Sequence, residues 1–288
     1  MVLVKLLRVD QWSKNLIIFL IPIGRGSTET SDWITLFYVF FGLSLLASAG
    51  YVINDIKDRD SDIRHPYKKN RPIASGVVKV KNAIIVSIFL ISVGLFILLQ
   101  INYISLWLGA AYLLGSLSYT FKIKQVPVIE SLMIPVLFLL RLLVGSVATG
   151  ISASLYLLLS TFFITTVITI SKRYSILVNE EIELGSPTKK IVTTYYSKTM
   201  LIRIYKLFSF LLMSIFVAWI VNNLNEQIHS LQLVQYSISF LCLTEFLRSL
   251  FSGTTRGLTE DFAYYFIKER KTIILFIIGL LFCVSAIY

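Results

Sequence analysis

The chain has 288 residues, 56% of them hydrophobic and 14% aromatic, with a mean hydropathy of +0.77 and a net charge of +11. That composition excludes a water-soluble globular enzyme and points to a membrane protein. The positive charge could suggest nucleic acid, but it sits between apolar runs and beside acidic clusters, where membrane topology accounts for much of it, so no nucleic-acid partner is expected.

The apolar runs are too long and continuous for alternating barrel strands, and a lipid-embedded backbone must satisfy its own hydrogen bonds, so helices are predicted. In chain order the spans fall near 15–24, 33–53, 82–100, 103–120, 127–148, 152–171, 204–221, 230–250 and 272–287. The first is short and needs flanking residues to join its helix. With no small-residue cleavage site after it, it also serves as the targeting signal. With the N-terminus inside, all of the 27 Lys and Arg except Arg25 and Arg141 fall on the inner side, as the positive-inside rule requires. The predicted fold is an all-α polytopic membrane protein of about nine transmembrane helices, a single domain over 1–288, with its N-terminus cytoplasmic. Cys242 and Cys283 lie inside apolar runs and read as inert thiols.

After the second span comes "NDIKDRDSDIRHPYKKNRPIASG". If the helix continues to His65, a rotation of about 100° per residue puts Asn54, Asp55, Asp58, Asp62 and His65 on one face and Asp60 on the other. Pro66 then ends it. Clustered carboxylates repel each other unless cations lie between them. An EF-hand loop beginning at Asp58 fails, because its glycine position holds Ile63 and its glutamate position Lys69. Hard oxygen donors followed by Lys68, Lys69 and Arg71 suit Mg²⁺ that shares its coordination with a diphosphate. His65 reads as a helix-terminal or outer partner, since Mg²⁺ prefers oxygen.

The pattern Asn54, Asp55, Asp58, Asp62 closing a second transmembrane helix resembles the signature of the UbiA superfamily of intramembrane prenyltransferases. More narrowly, "DQWSKNLIIFLIP", "VPVIESLMIPVLFLLRLLVGSVATG", "SKRYSIL" and "TRGLTEDFAYYFIKER" look like the decaprenyl-phosphate phosphoribosyltransferase branch. That resemblance implies a UbiA-like bundle, 5-phosphoribosyl diphosphate as donor and a polyprenyl phosphate as acceptor. The product would be polyprenyl-phosphoryl-ribose 5-phosphate, a precursor of lipid-linked arabinose for the cell envelope. It also implies Mg²⁺ as cofactor, with Asn54, Asp55, Asp58 and Asp62 as metal and catalytic residues.

Superfamily members commonly carry a second aspartate-rich motif between helices six and seven, and this chain departs from it. Lys172, Arg173 and Tyr174 stand there, followed by Glu180, Glu181 and Glu183. A cation pair in that place favours direct contact with phosphates. Arg141, in mid-span, costs at least ~2.5 to 3.5 kcal/mol to insert and should face the bundle interior with an anionic partner. It reads as an acceptor-phosphate contact or one half of a structural ion pair, with Glu130 too distant to be an obvious partner. Lys14 and Asn15 at the first interface, and Glu260 and Asp261 near ribose hydroxyls, complete the expected substrate contacts.

The predicted reaction is displacement at C1 of the ribose by the acceptor's phosphate oxygen, at a site that faces the cytoplasm from an integral membrane protein. Two alternatives stand beside it. An aromatic-acid or glycerol-lipid prenyltransferase would use the first motif with a prenyl diphosphate. A cation-binding transporter would require more charges at mid-membrane than Arg141 alone.

Overall fold

The computed structural model describes residues 2–64, 68–179, 194–224, 230–260 and 262–287. Helix dominates, and no strand occurs among the described residues. The helices are α1 (Val2–Leu7), α2 (Leu20–Arg25), α3 (Thr30–Lys57), α4 (Arg59–Ile63), α5 (Val80–Ile101), α6 (Tyr103–Phe121), α7 (Ile129–Thr149) and α8 (Leu155–Asn179). They continue with α9 (Lys198–Asn223), α10 (Ser230–Thr255), α11 (Phe262–Lys268) and α12 (Arg270–Ile287). Among them α3 and α5 to α9 make 6 helices long and apolar enough to cross a membrane. Large apolar side chains such as Phe89, Trp107, Leu114 and Phe210 stay exposed on these helices, as lipid-facing surfaces require.

The chain forms two compact units: residues 1–124 with 136–153, and residues 125–135 with 154–288. In the first, Leu36, Val39, Leu43 and Leu46 of α3 pack with Leu98 of α5, Tyr112 of α6 and Val144 of α7. Close approach of α3 and α5 depends on two glycines. A Cβ added to Gly94 would lie 2.9 Å from the Gly42 carbonyl oxygen, a small-residue contact typical of membrane helix pairs.

Flanking residues do join the short first span. Val9–Phe19 is a 3₁₀ helix that runs directly into α2. A 3₁₀ helix has three residues per turn, so Trp12, Asn15 and Ile18 share one face, which meets α3. The Trp12 indole donates to Ser48 Oγ at 2.9 Å, and Asn15 Nδ2 donates to Ser44 Oγ at 2.9 Å. Ile18 is buried beside Gly145.

In the second unit, Val167, Ile170 and Tyr174 of α8 pack with Leu201 and Tyr205 of α9, Phe246 and Leu250 of α10, and Tyr265. Three buried threonines of α8 satisfy themselves within the helix: the Thr165, Thr166 and Thr169 hydroxyls each donate to the carbonyl four residues back. Cys242 and Cys283 are both free thiols.

Candidate active site

The helix expected to run unbroken to His65 is interrupted earlier. α3 ends at Lys57, Asp58 takes φ −88° and ψ 3°, and α4 starts at Arg59. At this break the Lys57 ammonium donates to the Thr120 and Phe121 carbonyls at the end of α6, at 2.9 and 2.8 Å. Those carbonyls have no partner within their own helix. His65 lies outside the described residues.

The break sorts the carboxylates. Asp55 and Asp62 are both buried, and one nitrogen of Arg71 serves them both, at 3.2 Å from Asp55 Oδ1 and 2.7 Å from Asp62 Oδ2. Arg8 also pairs with Asp55 Oδ1. Its backbone is left-handed, with φ 48°, and its guanidinium lies 5.0 Å from the centre of the Tyr51 ring. Asp58 is set apart from this group and bonds Lys124 at 2.6 Å. Asn54 is half-buried in the last turn of α3, and Asp60 is exposed, as its place on the opposite face required. Lys68 is half-buried, and its pKa is pushed down by burial and by the neighbouring Arg71. Lys69 is exposed.

Arg141 is buried as expected, but its partners are neutral rather than anionic. Nε donates to Asn15 Oδ1 at 2.8 Å, Nη2 to Tyr112 Oη at 2.9 Å and Nη1 to the Leu137 carbonyl at 3.2 Å. The Tyr112 and Phe138 rings each lie 4.7 Å from the guanidinium carbon. Glu130 is indeed not its partner. Lys14 is exposed at the surface of the unit, yet crowding by protein atoms, with Arg141 and then Arg8 adding to it, lowers its pKa to about 8.

In the second unit Glu130 pairs with Arg173, and both side chains are buried. The expected phosphate contact of Arg173 is therefore taken by a carboxylate. Ser131 Oγ donates to Glu130 Oε1 at 2.7 Å, and Tyr196 Oη, which accepts from the Val128 amide at 2.7 Å, lies 3.3 Å from that same oxygen. Tyr174 is buried in the apolar cluster that also holds Ile170, Leu201 and Phe251, so it serves the core rather than a phosphate. Lys172 is exposed. Glu260 accepts from Asn179 at 2.9 Å, while Asp261 and Glu180, Glu181 and Glu183 lie outside the described residues.

Sequence reasoning missed Arg8, Tyr112, Lys124, Glu130 and Tyr196 as partners within these clusters. Only Glu130 carried a signal, as a carboxylate at the edge of an apolar run.

The sequence model of the UbiA prenyltransferase family matches residues 16–248. The chain belongs to that family. It is 32% identical over 199 residues to the decaprenyl-phosphate phosphoribosyltransferase of Corynebacterium glutamicum, covering 67% of this chain and 59% of that protein. The protein of the same name from Mycobacterium tuberculosis is likewise 32% identical, over 67% of this chain and 66% of its own length. The chain thus matches less than two thirds of the length of these curated relatives. A UbiA homologue from Archaeoglobus fulgidus solved with GPP and Mg²⁺ superimposes with a TM-score of 0.67 at 14% identity, over 99% of this chain and 98% of that one. That likeness gives the UbiA fold.

Within that fold the acidic residues suit a divalent cation by donor chemistry. Asp55, Asp58 and Asp62 offer hard carboxylate oxygens of the kind Mg²⁺ prefers, and two of those oxygens already share one cationic nitrogen. The carboxylates are occupied by Arg8, Arg71 and Lys124, and no set of three acidic, His or Cys residues is assembled as a metal centre among the described residues.

Proposed function

We propose that this UbiA-family chain transfers a 5-phosphoribosyl group from 5-phosphoribosyl diphosphate to a polyprenyl phosphate and releases diphosphate, at a site facing the cytoplasm. The observation that carries this reading is the interleaving of Asp55, Asp58 and Asp62 with Arg8, Arg71 and Lys124. Such a cluster suits a substrate that brings both a metal and several negative oxygens. The name borne by the curated relatives supports the choice of donor.

A phosphate oxygen of the acceptor forms a bond to C1 of the ribose as the C1–O bond to diphosphate breaks, and the electron pair leaves on diphosphate. No strong general base is needed, because a phosphate monoester has its second pKa near 6 and arrives ionised. Asp55, Asp58 and Asp62, with Asn54 beside them, would hold Mg²⁺, which supplies compensation for charge growing on the leaving group. Arg71 and Lys68 supply positive charge to the diphosphate oxygens. Most of the protein's task is positioning two anions against their repulsion.

Purified protein in detergent, given Mg²⁺, radiolabelled 5-phosphoribosyl diphosphate and a polyprenyl phosphate, is expected to move label into organic solvent. An Asp58→Ala and Asp62→Ala double variant is expected to move none. A preparation that moves no ribose label but transfers a prenyl group from a prenyl diphosphate would show the prenyltransferase reaction instead.

A further inference from the structure

Arg141 sits inside the first unit with its side chain buried, and no carboxylate lies within ion-pair distance of it among the described residues. Its three contacts are an amide oxygen, a phenol oxygen and a backbone carbonyl. A buried charge without a counter-charge is expensive, more so in a membrane span. The surroundings hold the group in place without neutralising it. Asn15 is fully buried, with Nδ2 donating to Ser44 and Oδ1 accepting from Arg141, so its amide is oriented from both ends. Tyr112, also buried, fixes the second nitrogen and lays its ring against the guanidinium. Lys14, next in sequence to Asn15, brings a second cation close enough for Arg141 to lower its pKa.

From this arrangement we infer that Arg141 and Lys14 form an anion site for the phosphate head of the lipid acceptor, with Asn15 and Tyr112 as positioning residues rather than substrate contacts. The inference rests on the proposed reaction having a phosphate-bearing lipid substrate. It separates two roles that adjacent residues in "SKN" would otherwise share: Lys14 faces the ligand, and Asn15 orients the arginine. It also places this site on residues distinct from the Asp55–Asp62–Arg71 cluster.

The test is binding of farnesyl phosphate to the full-length protein in detergent with EDTA present, so that neither metal nor turnover contributes. Farnesol, inorganic phosphate and ribose 5-phosphate are the comparison ligands. Wild type is expected to bind farnesyl phosphate well above farnesol, Arg141→Met to weaken that binding by about 30-fold or more, as loss of a buried charge partner does, and Lys14→Met, which removes an exposed cation, by about 5-fold. Tyr112→Phe, which removes only the hydroxyl, is expected to weaken it by about 10-fold and leave farnesol unaffected.

The decisive variant is Asn15→Asp, nearly isosteric, because it gives Arg141 the carboxylate it lacks. It is expected to melt no lower than wild type and yet to lose farnesyl phosphate binding, whereas a merely structural Asn15 would leave affinity unchanged once the fold is intact. Farnesyl phosphate affinity preserved in Asn15→Asp would overturn the inference. So would binding of ribose 5-phosphate or inorganic phosphate that depends on Arg141 while farnesyl phosphate binding does not. If farnesyl phosphate binds through Arg141 but no phosphoribosyl transfer occurs, the reaction proposed above falls and the anion site stands.

Discussion

Glu130 and Arg173 form an ion pair in which both side chains are all but sealed from solvent, at 2% and 3% exposure. A pair this buried contributes little net stability, yet removing one member strands the other charge. Arg173→Met is therefore expected to lower stability by about 3 to 5 kcal/mol. Adding Glu130→Gln should recover most of that loss, measured by thermal unfolding in detergent. If Arg173→Met instead keeps its melting point and loses only activity, its guanidinium belongs to substrate and not to Glu130.

A pH effect follows from Lys14. With its pKa lowered to about 8, the residue is a cation below that pH and loses its charge as pH rises through it. Farnesyl phosphate affinity should accordingly decline above pH 8 on a limb that Lys14→Arg abolishes, because arginine stays protonated. Stability runs the other way. In the unfolded chain the lysine returns to 10.5, so between 8 and 10.5 the unfolded state holds more protons, and Lys14's own contribution to stability rises with pH.

Arg71 competes with any metal for Asp55 and Asp62, because its nitrogen holds both oxygens. Arg71→Gln should tighten Mn²⁺ binding in the absence of diphosphate by about 10-fold, a change of ~1.4 kcal/mol in binding free energy, read by Mn²⁺ electron paramagnetic resonance. The same variant should raise KM for the diphosphate donor. Unchanged Mn²⁺ affinity would mean that the carboxylates which bind metal are not the ones Arg71 holds.

Val128 carries a left-handed backbone with φ 67°, a conformation a β-branched residue enters at a cost. Its side chain is 49% exposed and adds little packing. Val128→Gly is expected to raise stability by about 1 kcal/mol, and a fall in melting temperature would show that the side chain holds the turn in place.

Much of the fold was legible because continuous apolar runs leave few alternatives. The run expected over 82–100 is Val80–Ile101, and the one over 127–148 is Ile129–Thr149. The acidic cluster and its neighbouring Arg71 could also be read, since both lie in one stretch. What could not be read were partners chosen by helix packing. Arg8 and Asp55 stand 47 positions apart, and nothing local marks Arg8 as different from the other inner-side cations. Face arguments assumed one period throughout, whereas Asn15 reaches Ser44 on a three-residue turn and Asp58 leaves the shared face because α3 stops one residue before it.

The two lysines that join α3 and α6 reach in opposite directions. Lys57 binds the carbonyl end of α6, and Lys124, just beyond that end, binds Asp58 just beyond α3. Cut one connection and the other still registers the two termini. Asp58 is thereby geared to the neighbouring helix: any ligand that turns its carboxylate must also release or drag the Lys124 segment, and its arrival would be felt at the end of α6.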